Sequence, residues 1–192
     1  MSAPTVPAVD ARTRILDAAL RLMGDQGSAG ASMRQLAAAS RVNVATIYHY
    51  FPSKADVLRS VVEERRYSER LDAETPPLST DAPPRERLIE LLDWFWRRTL
   101  EEESVWRLLV GESIRGEAAA TSTTAEVVGA LTATLEGWLA DWFPELTSPP
   151  AAVARVVQGQ IFALVVEHLA LAPVPPAEAR ARGEELAAIV FP

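Results

Sequence analysis

The stretch SMRQLAAASRVNVATIYHYFPSKADVL, residues 32–58, predicts two short helices separated by a tight turn. Ser32 begins the first helix, and Gln35 follows at the spacing of a capping box. After the turn, Asn43 is a good N-cap for a second helix over about residues 44–50. Two helices joined in this way are typical of a helix-turn-helix, whose second helix fits the major groove of DNA.

The second of these helices and the residues after it carry hydrogen-bond donors and no carboxylate. Residues 43–54 contain no Asp or Glu. Their polar and aromatic side chains are Asn43, Thr46, Tyr48, His49, Tyr50, Ser53 and Lys54. Donors without a repelling negative charge are what a phosphate-facing surface requires, so this range predicts a DNA-binding surface.

Helical periodicity extends on both sides of this stretch and predicts an all-α chain of about nine helices. An apolar stripe that includes Ile15 and Met23 precedes it and ends at Gly27, a C-terminal stop signal. Residues 75–84, TPPLSTDAPP, have no periodicity and predict a linker. We expect an N-terminal arm and three-helix DNA-binding domain over residues 1–52. Residues 53–192 then hold a connecting helix and a helical bundle for ligand binding and dimerisation.

Composition supports this division and excludes several classes of function. The net charge is −7, but residues 1–70 sum to +3 and residues 71–192 to −10, as expected of a basic module on an acidic body. The chain has no cysteine and two distant histidines. It therefore lacks disulfides, thiolate metal sites and a cysteine nucleophile, and we expect no metal and no cofactor. Without a nucleophile elbow or a Gly-rich phosphate loop, we expect no enzymatic activity.

The sequence also predicts a cytoplasmic protein with no membrane contact. By sequence, no apolar run approaches the roughly 20 residues of a membrane span, and the N-terminal residues lack the apolar core of a signal peptide.

The helix-turn-helix stretch resembles that of the tetracycline-repressor (TetR/AcrR) family. The matching residues, at fixed spacing, are Leu36, Ala37, Val42, Thr46, Ile47, Tyr48, Tyr50, Phe51, Ser53, Lys54 and Leu58. The resemblance covers about residues 11–60. It implies a transcriptional regulator that binds a palindromic operator in double-stranded DNA as a homodimer, most often a repressor released by a small-molecule effector.

The resemblance also implies roles for individual residues. Tyr48 and Lys54 match positions that usually hold phosphates, and Lys54 lies near a helix N-terminus, which attracts anions. Val44, Ala45 and His49 match variable positions that read base edges. The full predicted DNA-contact set is Arg34, Asn43, Val44, Ala45, Thr46, Tyr48, His49, Tyr50 and Lys54.

Some of these assignments have a structural alternative. Thr46 matches a position that touches phosphate or base, and Arg34 matches one that reaches the groove, but Arg34 also fits as a solvated helix residue. The alternative for Tyr48 and Tyr50 is that they are surface aromatics packed on the first helix, and this alternative is stronger for Tyr50 than for Tyr48. His49 fits as a solvated residue without a contact.

The chain departs from the family pattern at two positions. Arg41 stands where the turn usually has glycine, so positive φ there carries modest strain. Met23 stands where the family commonly has phenylalanine, which is a tolerable exchange in a core.

The C-terminal part concentrates aromatic residues, which indicate a core or a ligand cavity. Two polar residues, Glu112 and His168, fall on otherwise apolar stripes, and burial of a charge is costly unless it is paired. The predicted effector-contact set is Trp94, Trp106, Glu112, Trp138, Phe162 and His168. The alternatives are that Glu112 pairs with an arginine and that His168 is a satisfied core or interface histidine.

The last two long helices, over about residues 150–171 and 177–190, correspond to those through which family members dimerise. The first of them is apolar around much of its surface, and small residues such as Ala152 and Gly159 permit close approach.

Two other functions stay open on the residues alone. One is an enzyme or small-molecule binding module in which the N-terminal helices are a scaffold, and the other is a helix bundle that binds another protein. The carboxylate-free range 43–54 favours DNA, because a solvated helix face normally mixes both signs of charge.

Overall fold

The computed structural model describes residues 10–65, 76–79 and 81–192. Within these ranges the secondary structure consists of nine helices without a strand, which confirms the all-α class. The helices are α1 (Ala11–Gly30), α2 (Met33–Ser40), α3 (Val44–Tyr50), α4 (Lys54–Arg65), α5 (Pro84–Glu101), α6 (Glu103–Ile114), α7 (Ala118–Trp142), α8 (Pro150–Ala170) and α9 (Pro176–Val190). Of the predicted arm over residues 1–10, only Asp10 is described, and Thr75 and Thr80 of the predicted linker lie outside the described residues.

The chain divides into two compact units. The first consists of residues 1–65 and 107–123, and the second of residues 66–106 and 124–192. This division follows packing and does not test the predicted domain boundary after residue 52, which stays a prediction.

Helix α1 organises the first unit, since α2, α3 and α4 all contact it. Asp10 caps its N-terminus by accepting a hydrogen bond from the Thr13 N–H at 2.7 Å. The predicted stop at Gly27 is a real interruption, with φ 76° and ψ 160°, after which one short turn continues to Gly30. The buried side chains between these helices include Ile15, Ala19, Met23, Leu36, Ile47, Phe51, Val57 and Leu58.

Helices α5, α8 and α9 contact one another in the second unit. Helix α9 packs on α5 with Gly183 beside Leu92, where an added Cβ would make an ordinary contact with Leu92 Cδ1 at 3.5 Å. Arg87 on α5 is nearly buried and donates to the Trp142 carbonyl at 2.9 Å and to Glu145 Oε1 at 2.5 Å. These bonds join the start of α5 to the end of α7.

Two predictions about the helices were wrong. Helix α7 begins at Ala118 rather than near Thr123, because the alanines at 118–120 are strong helix formers that the apolar periodicity missed. Helix α8 (Pro150–Ala170) is long and apolar enough to cross a membrane by length and composition, contrary to the prediction that no run approaches this. Such a helix is weak evidence for a membrane span, since core helices of soluble proteins pass the same test.

The turn between α2 and α3 has the strain that the sequence predicted at Arg41. Arg41 is left-handed, with φ 56° and ψ 43°, and is the one described non-glycine residue with positive φ. Its N–H donates to the Ala38 carbonyl at 3.3 Å, and the Val42 N–H donates to the Ala37 carbonyl at 3.1 Å. This pair of bonds is the Schellman motif that ends helices, usually with glycine at the left-handed position.

We expect Arg41→Gly to raise the free energy of unfolding by about 0.5 kcal/mol. Relief of roughly 1–2 kcal/mol of left-handed strain is partly offset by glycine's greater freedom in the unfolded chain. Arg41→Val should lower the free energy of unfolding, because a β-branched residue is a severe outlier there. Urea unfolding followed by circular dichroism measures both. Ala38→Gly, inside α2, is the control and should cost about 1 kcal/mol; equal losses in both glycine variants would contradict the prediction.

Candidate nucleic-acid interface

The two short helices α2 and α3 are joined by three residues, 41–43, and each helix begins after a capping residue. Asn43 is extended, and its Oδ1 accepts hydrogen bonds from the Thr46 N–H at 2.7 Å and from the Thr46 hydroxyl at 2.9 Å. At the start of α2, Ser32 and Gln35 form the predicted capping box. Because caps satisfy backbone groups that a helix end leaves unpaired, both helices begin at defined residues despite their shortness.

Helix α3 buries one side and exposes the other. Ile47 is fully buried beneath it. Ala45, Tyr48 and His49 are exposed and share one face by their spacing of three and four residues. Tyr48 is the most open of the aromatic residues here, with 52% of its surface exposed. Nearly half of the Tyr48 surface is therefore covered within the chain, and both the DNA-contact role and the packing alternative stay predictions.

The other predicted contact residues lie around this face to different degrees. Tyr50 is exposed, but its ring makes an edge contact with His49 at a centroid distance of 5.3 Å. Val44 and Thr46 are half-buried. Arg34 is exposed on α2. The structure thus brings an arginine, two tyrosines and a histidine to the exposed side of two adjoining helices.

Charge around the helix-turn-helix is one-sided over a longer range than residues 43–54. The chain has no Asp or Glu between Asp25 and Asp56, an interval that includes three basic residues. Asp56 itself is engaged at the start of α4, where it exchanges hydrogen bonds with Ser53 at 2.7 and 3.2 Å. Arg59 lies 3.5 Å from the same carboxylate. This surface therefore suits a polyanion.

Lys54, predicted to hold a phosphate, has protein partners that the sequence did not reveal. Its half-buried ammonium group donates to the Ser28 carbonyl at 2.5 Å and to the Ala31 carbonyl at 3.4 Å. Both carbonyls are at the end of α1, where a cation is favourable because the helix dipole is negative there. An ammonium carries three N–H donors, so a phosphate contact through the third stays a prediction.

The six residues of the predicted effector-contact set do not lie together. Trp106 and His168 line a small cavity in the second unit. Trp94 and Trp138 belong to a separate aromatic cluster, with ring centroids 5.7 Å apart. Phe162 is 40% exposed on α8. Glu112 lies in the first unit.

The cavity beside His168 has polar and aromatic walls. It has room for about one water molecule, and Trp96, Thr99, Glu103 and Val165 complete much of its lining. His168 Nδ1 accepts from the Val174 N–H at 3.0 Å, so the neutral ring carries its proton on Nε2, 3.7 Å from Glu103 Oε2. The Trp96 Nε1–H is buried without a hydrogen-bond partner. A small cavity with such groups is polar enough to hold a water molecule or a small ligand atom.

Glu112 is buried and paired, as one of the alternatives for this residue required. Its carboxylate accepts from the Ser28 hydroxyl and forms an ion pair with Arg115, whose Nε lies at 2.9 Å. Burial alone would raise the pKa of Glu112, but the hydrogen bonds from Ser28 and Arg115 outweigh it and hold that pKa below its usual range. Ser28 lies 84 residues away, so no local sequence signal identified the pair.

Comparison with known proteins identifies a family that the helix-turn-helix region matches. Residues 15–61 match the family model described as bacterial regulatory proteins, tetR family. The chain is 32% identical over 109 residues to the HTH-type transcriptional regulator BetI of Rhizobium meliloti, covering 55% of this chain and 53% of that protein. It is 30% identical over 148 residues to the HTH-type transcriptional repressor KstR of Rhodococcus jostii, covering 76% of this chain and 66% of that protein.

The chain spans about half or less of the first curated relatives that it matches, namely 53%, 41% and 30% of their lengths.

Solved structures match nearly the whole fold. A transcriptional regulator (TerR/AcrR family) from Aquifex aeolicus VF5 has a TM-score of 0.74 at 16% identity, covering 95% of this chain and 100% of that chain. GusR of Salmonella enterica has a TM-score of 0.73 at 18% identity, covering 98% and 97%.

We expect Glu112→Gln to lower the free energy of unfolding near neutral pH by roughly 1.5–3 kcal/mol, because charge-assisted bonds to a buried group are lost. The folded-state pKa is depressed. The stabilisation is therefore fully present above the unfolded-state value of 4.5 and is lost as pH falls through the lower folded-state value.

The measurement is urea unfolding of both proteins between about pH 7 and about pH 3. The difference in the free energy of unfolding between the wild-type protein and Glu112→Gln should become smaller as the pH falls. Glu63→Gln, which removes an exposed carboxylate on α4, is the control and should show little gap at any pH. A gap for Glu112→Gln that persists unchanged in acid would contradict the assignment of a stabilising ionised carboxylate.

Proposed function

The chain belongs to the TetR family of bacterial regulatory proteins, and from that premise we propose that it regulates transcription by binding operator DNA. The observation that carries the proposal is the exposed face of α3. It presents Tyr48 and His49 on a helix held by a three-residue turn, in an interval of the chain without carboxylates. Helix α3 enters the major groove, and α2 with Arg34 lies above the phosphates. Regulators of this kind are not enzymes, and no catalytic role is assigned.

We propose repression as the mode of regulation. The support is that KstR of Rhodococcus jostii, a relative that matches 76% of this chain, is named a transcriptional repressor. Because the proposed partner is chromosomal DNA, the proposed compartment is the cytoplasm.

Binding to a palindromic operator requires a dimer, and α8 supplies the proposed interface. Val156, Gly159 and Ala163 are exposed at a spacing of three and four residues, and Phe162 is exposed beside them. Only 28% of the apolar window of α8 is buried within the chain. An exposed apolar face on so hydrophobic a helix favours burial against the same face of a second copy.

We propose that a small-molecule effector binds in the second unit, at the cavity beside Trp106 and His168. The cavity has room for about one water molecule, far less than the roughly 300–1,000 Å³ of sites that enclose drug-sized ligands. A larger effector therefore requires the lining helices to separate. Such a ligand favours a different conformation from the one described, and a coupling of roughly 1–3 kcal/mol would weaken DNA binding about 5- to 150-fold.

We expect Arg34→Ala to weaken binding to duplex DNA and to reduce the slope of log affinity against log salt by roughly one unit. The reason is that one phosphate contact releases about one counterion. Fluorescence anisotropy with DNA from upstream of the gene, titrated at several salt concentrations, measures the slope. Arg97→Ala on α5 removes an exposed arginine in the second unit and should leave the slope unchanged. Identical slopes for the two variants would contradict the placement of Arg34.

We expect the protein to be a dimer and Val156→Arg to be a monomer, because a charge in the apolar α8 face cannot be solvated in the interface. Light scattering at micromolar concentration measures the mass. Ile114→Arg introduces the same charge at an exposed apolar residue on α6 and should remain dimeric. A monomeric wild-type protein, or a dimeric Val156→Arg protein, would exclude the α8 interface.

A further inference from the structure

Ser28 is bonded from two sides, through two different groups. Its hydroxyl donates to Glu112 Oε2, and its main-chain carbonyl accepts from Lys54 Nζ at 2.5 Å. Ser28 itself is 3% exposed. Glu112 is on α6 and Lys54 is the first residue of α4, so one buried serine at the end of α1 connects both helices.

The backbone around Ser28 is shaped to admit the Glu112 carboxylate and the Arg115 guanidinium. An added Cβ at Gly27 would lie 3.1 Å from both Arg115 Nη2 and Glu112 Oε1, and one at Gly111 would lie 3.2 Å from Arg115 Nη2. Gly27 also has φ 76°, which side chains rarely adopt. The interruption of α1 at Gly27 thus leaves room for the buried Glu112 carboxylate, with Arg115 paired to it, beside the Ser28 hydroxyl.

Lys54 follows α3 after only three residues, Phe51 to Ser53, and Phe51 is buried. A change in the position of Lys54 therefore moves the end of α3 with it. The Ser28 carbonyl is the nearer of the two Lys54 acceptors, and it also accepts from the Ala31 N–H at 3.2 Å. The Ser28 hydroxyl bond to Glu112 is a further contact on the same residue.

We propose that Glu112 is a positioning residue for DNA binding, which acts through Ser28 and Lys54 to hold α3 in its binding position. This inference rests on the proposed DNA-binding function and adds to it a residue that contacts no DNA. A purely structural Glu112 would stabilise the first unit without any dependence on Lys54. The two roles therefore differ in whether the effects of changes at Ser28 and Lys54 are coupled.

The test is a double-mutant cycle on DNA affinity with Ser28→Ala, Lys54→Ala and the double variant. The probe is a mixed-sequence DNA duplex at low ionic strength, where binding does not depend on knowing the operator. We expect Ser28→Ala to weaken binding about fivefold, the equivalent of one hydrogen bond of roughly 1 kcal/mol. In the Lys54→Ala background the same change should alter affinity less than about twofold.

Ser40→Ala is the matched control, because Ser40 is also a buried serine of the first unit but donates to the Leu36 carbonyl. Its effect should be the same with and without Lys54. Glu112→Gln provides a second cycle with Lys54→Ala and should show the same coupling as Ser28→Ala. Folding of every variant is checked by circular dichroism, and the Glu112→Gln cycle decides the result if Ser28→Ala does not fold.

The outcomes separate the two proposals. If the wild-type protein does not bind the duplex at low ionic strength, the proposed function fails and the inference fails with it. If the wild-type protein binds, but the loss from Ser28→Ala or Glu112→Gln is the same in both backgrounds, the positioning role is overturned and the DNA-binding function stands.

Discussion

The left-handed backbone at Arg41 is the constraint on which the arrangement of the helix-turn-helix depends. It reverses the chain within three residues and satisfies the last carbonyls of α2 through the N–H groups of Arg41 and Val42. Asn43 then caps α3 at once. Because both helix ends are defined, Ile47 is buried against α1 while Tyr48 points away from the core. The modest strain at one residue therefore orients the whole donor surface.

Local signals predicted most of the fold and the helix-turn-helix. Caps such as Ser32 and Asn43 act within three residues, and apolar stripes reflect burial directly, so both are legible in one sequence. The bonds that Lys54 and Glu112 make to Ser28 could not be predicted from the sequence, because Ser28 is 26 residues from Lys54 and 84 from Glu112. Only the tertiary fold brings those groups together. Before the fold is known, a lysine at a helix terminus and an acidic residue on an apolar stripe each fit several partners.

The dispersal of the predicted effector residues has a related cause. A stripe on α6 identified Glu112 as buried, which is correct, but a stripe does not reveal which neighbours bury it. Helix α6 contributes to both compact units, with Trp106 in the second and Glu112 in the first. For helix α8, the sequence analysis underestimated the length of the apolar run. The helix passes a test of length and composition for a membrane span, and the dimer interface proposed above would account for its exposed apolar residues.

The two bonds of Ser28 differ in how they respond to mutation over evolutionary time. Lys54 bonds to a main-chain carbonyl, which every amino acid supplies, so substitution at position 28 leaves that acceptor in place. Glu112 bonds to the hydroxyl, which only serine or threonine would offer there. Homologous chains can thus lose the connection to α6 through a single codon change and still retain a folded helix-turn-helix. The link to α6 is therefore the more easily mutable of the two bonds, and the link to Lys54 is the more durable one.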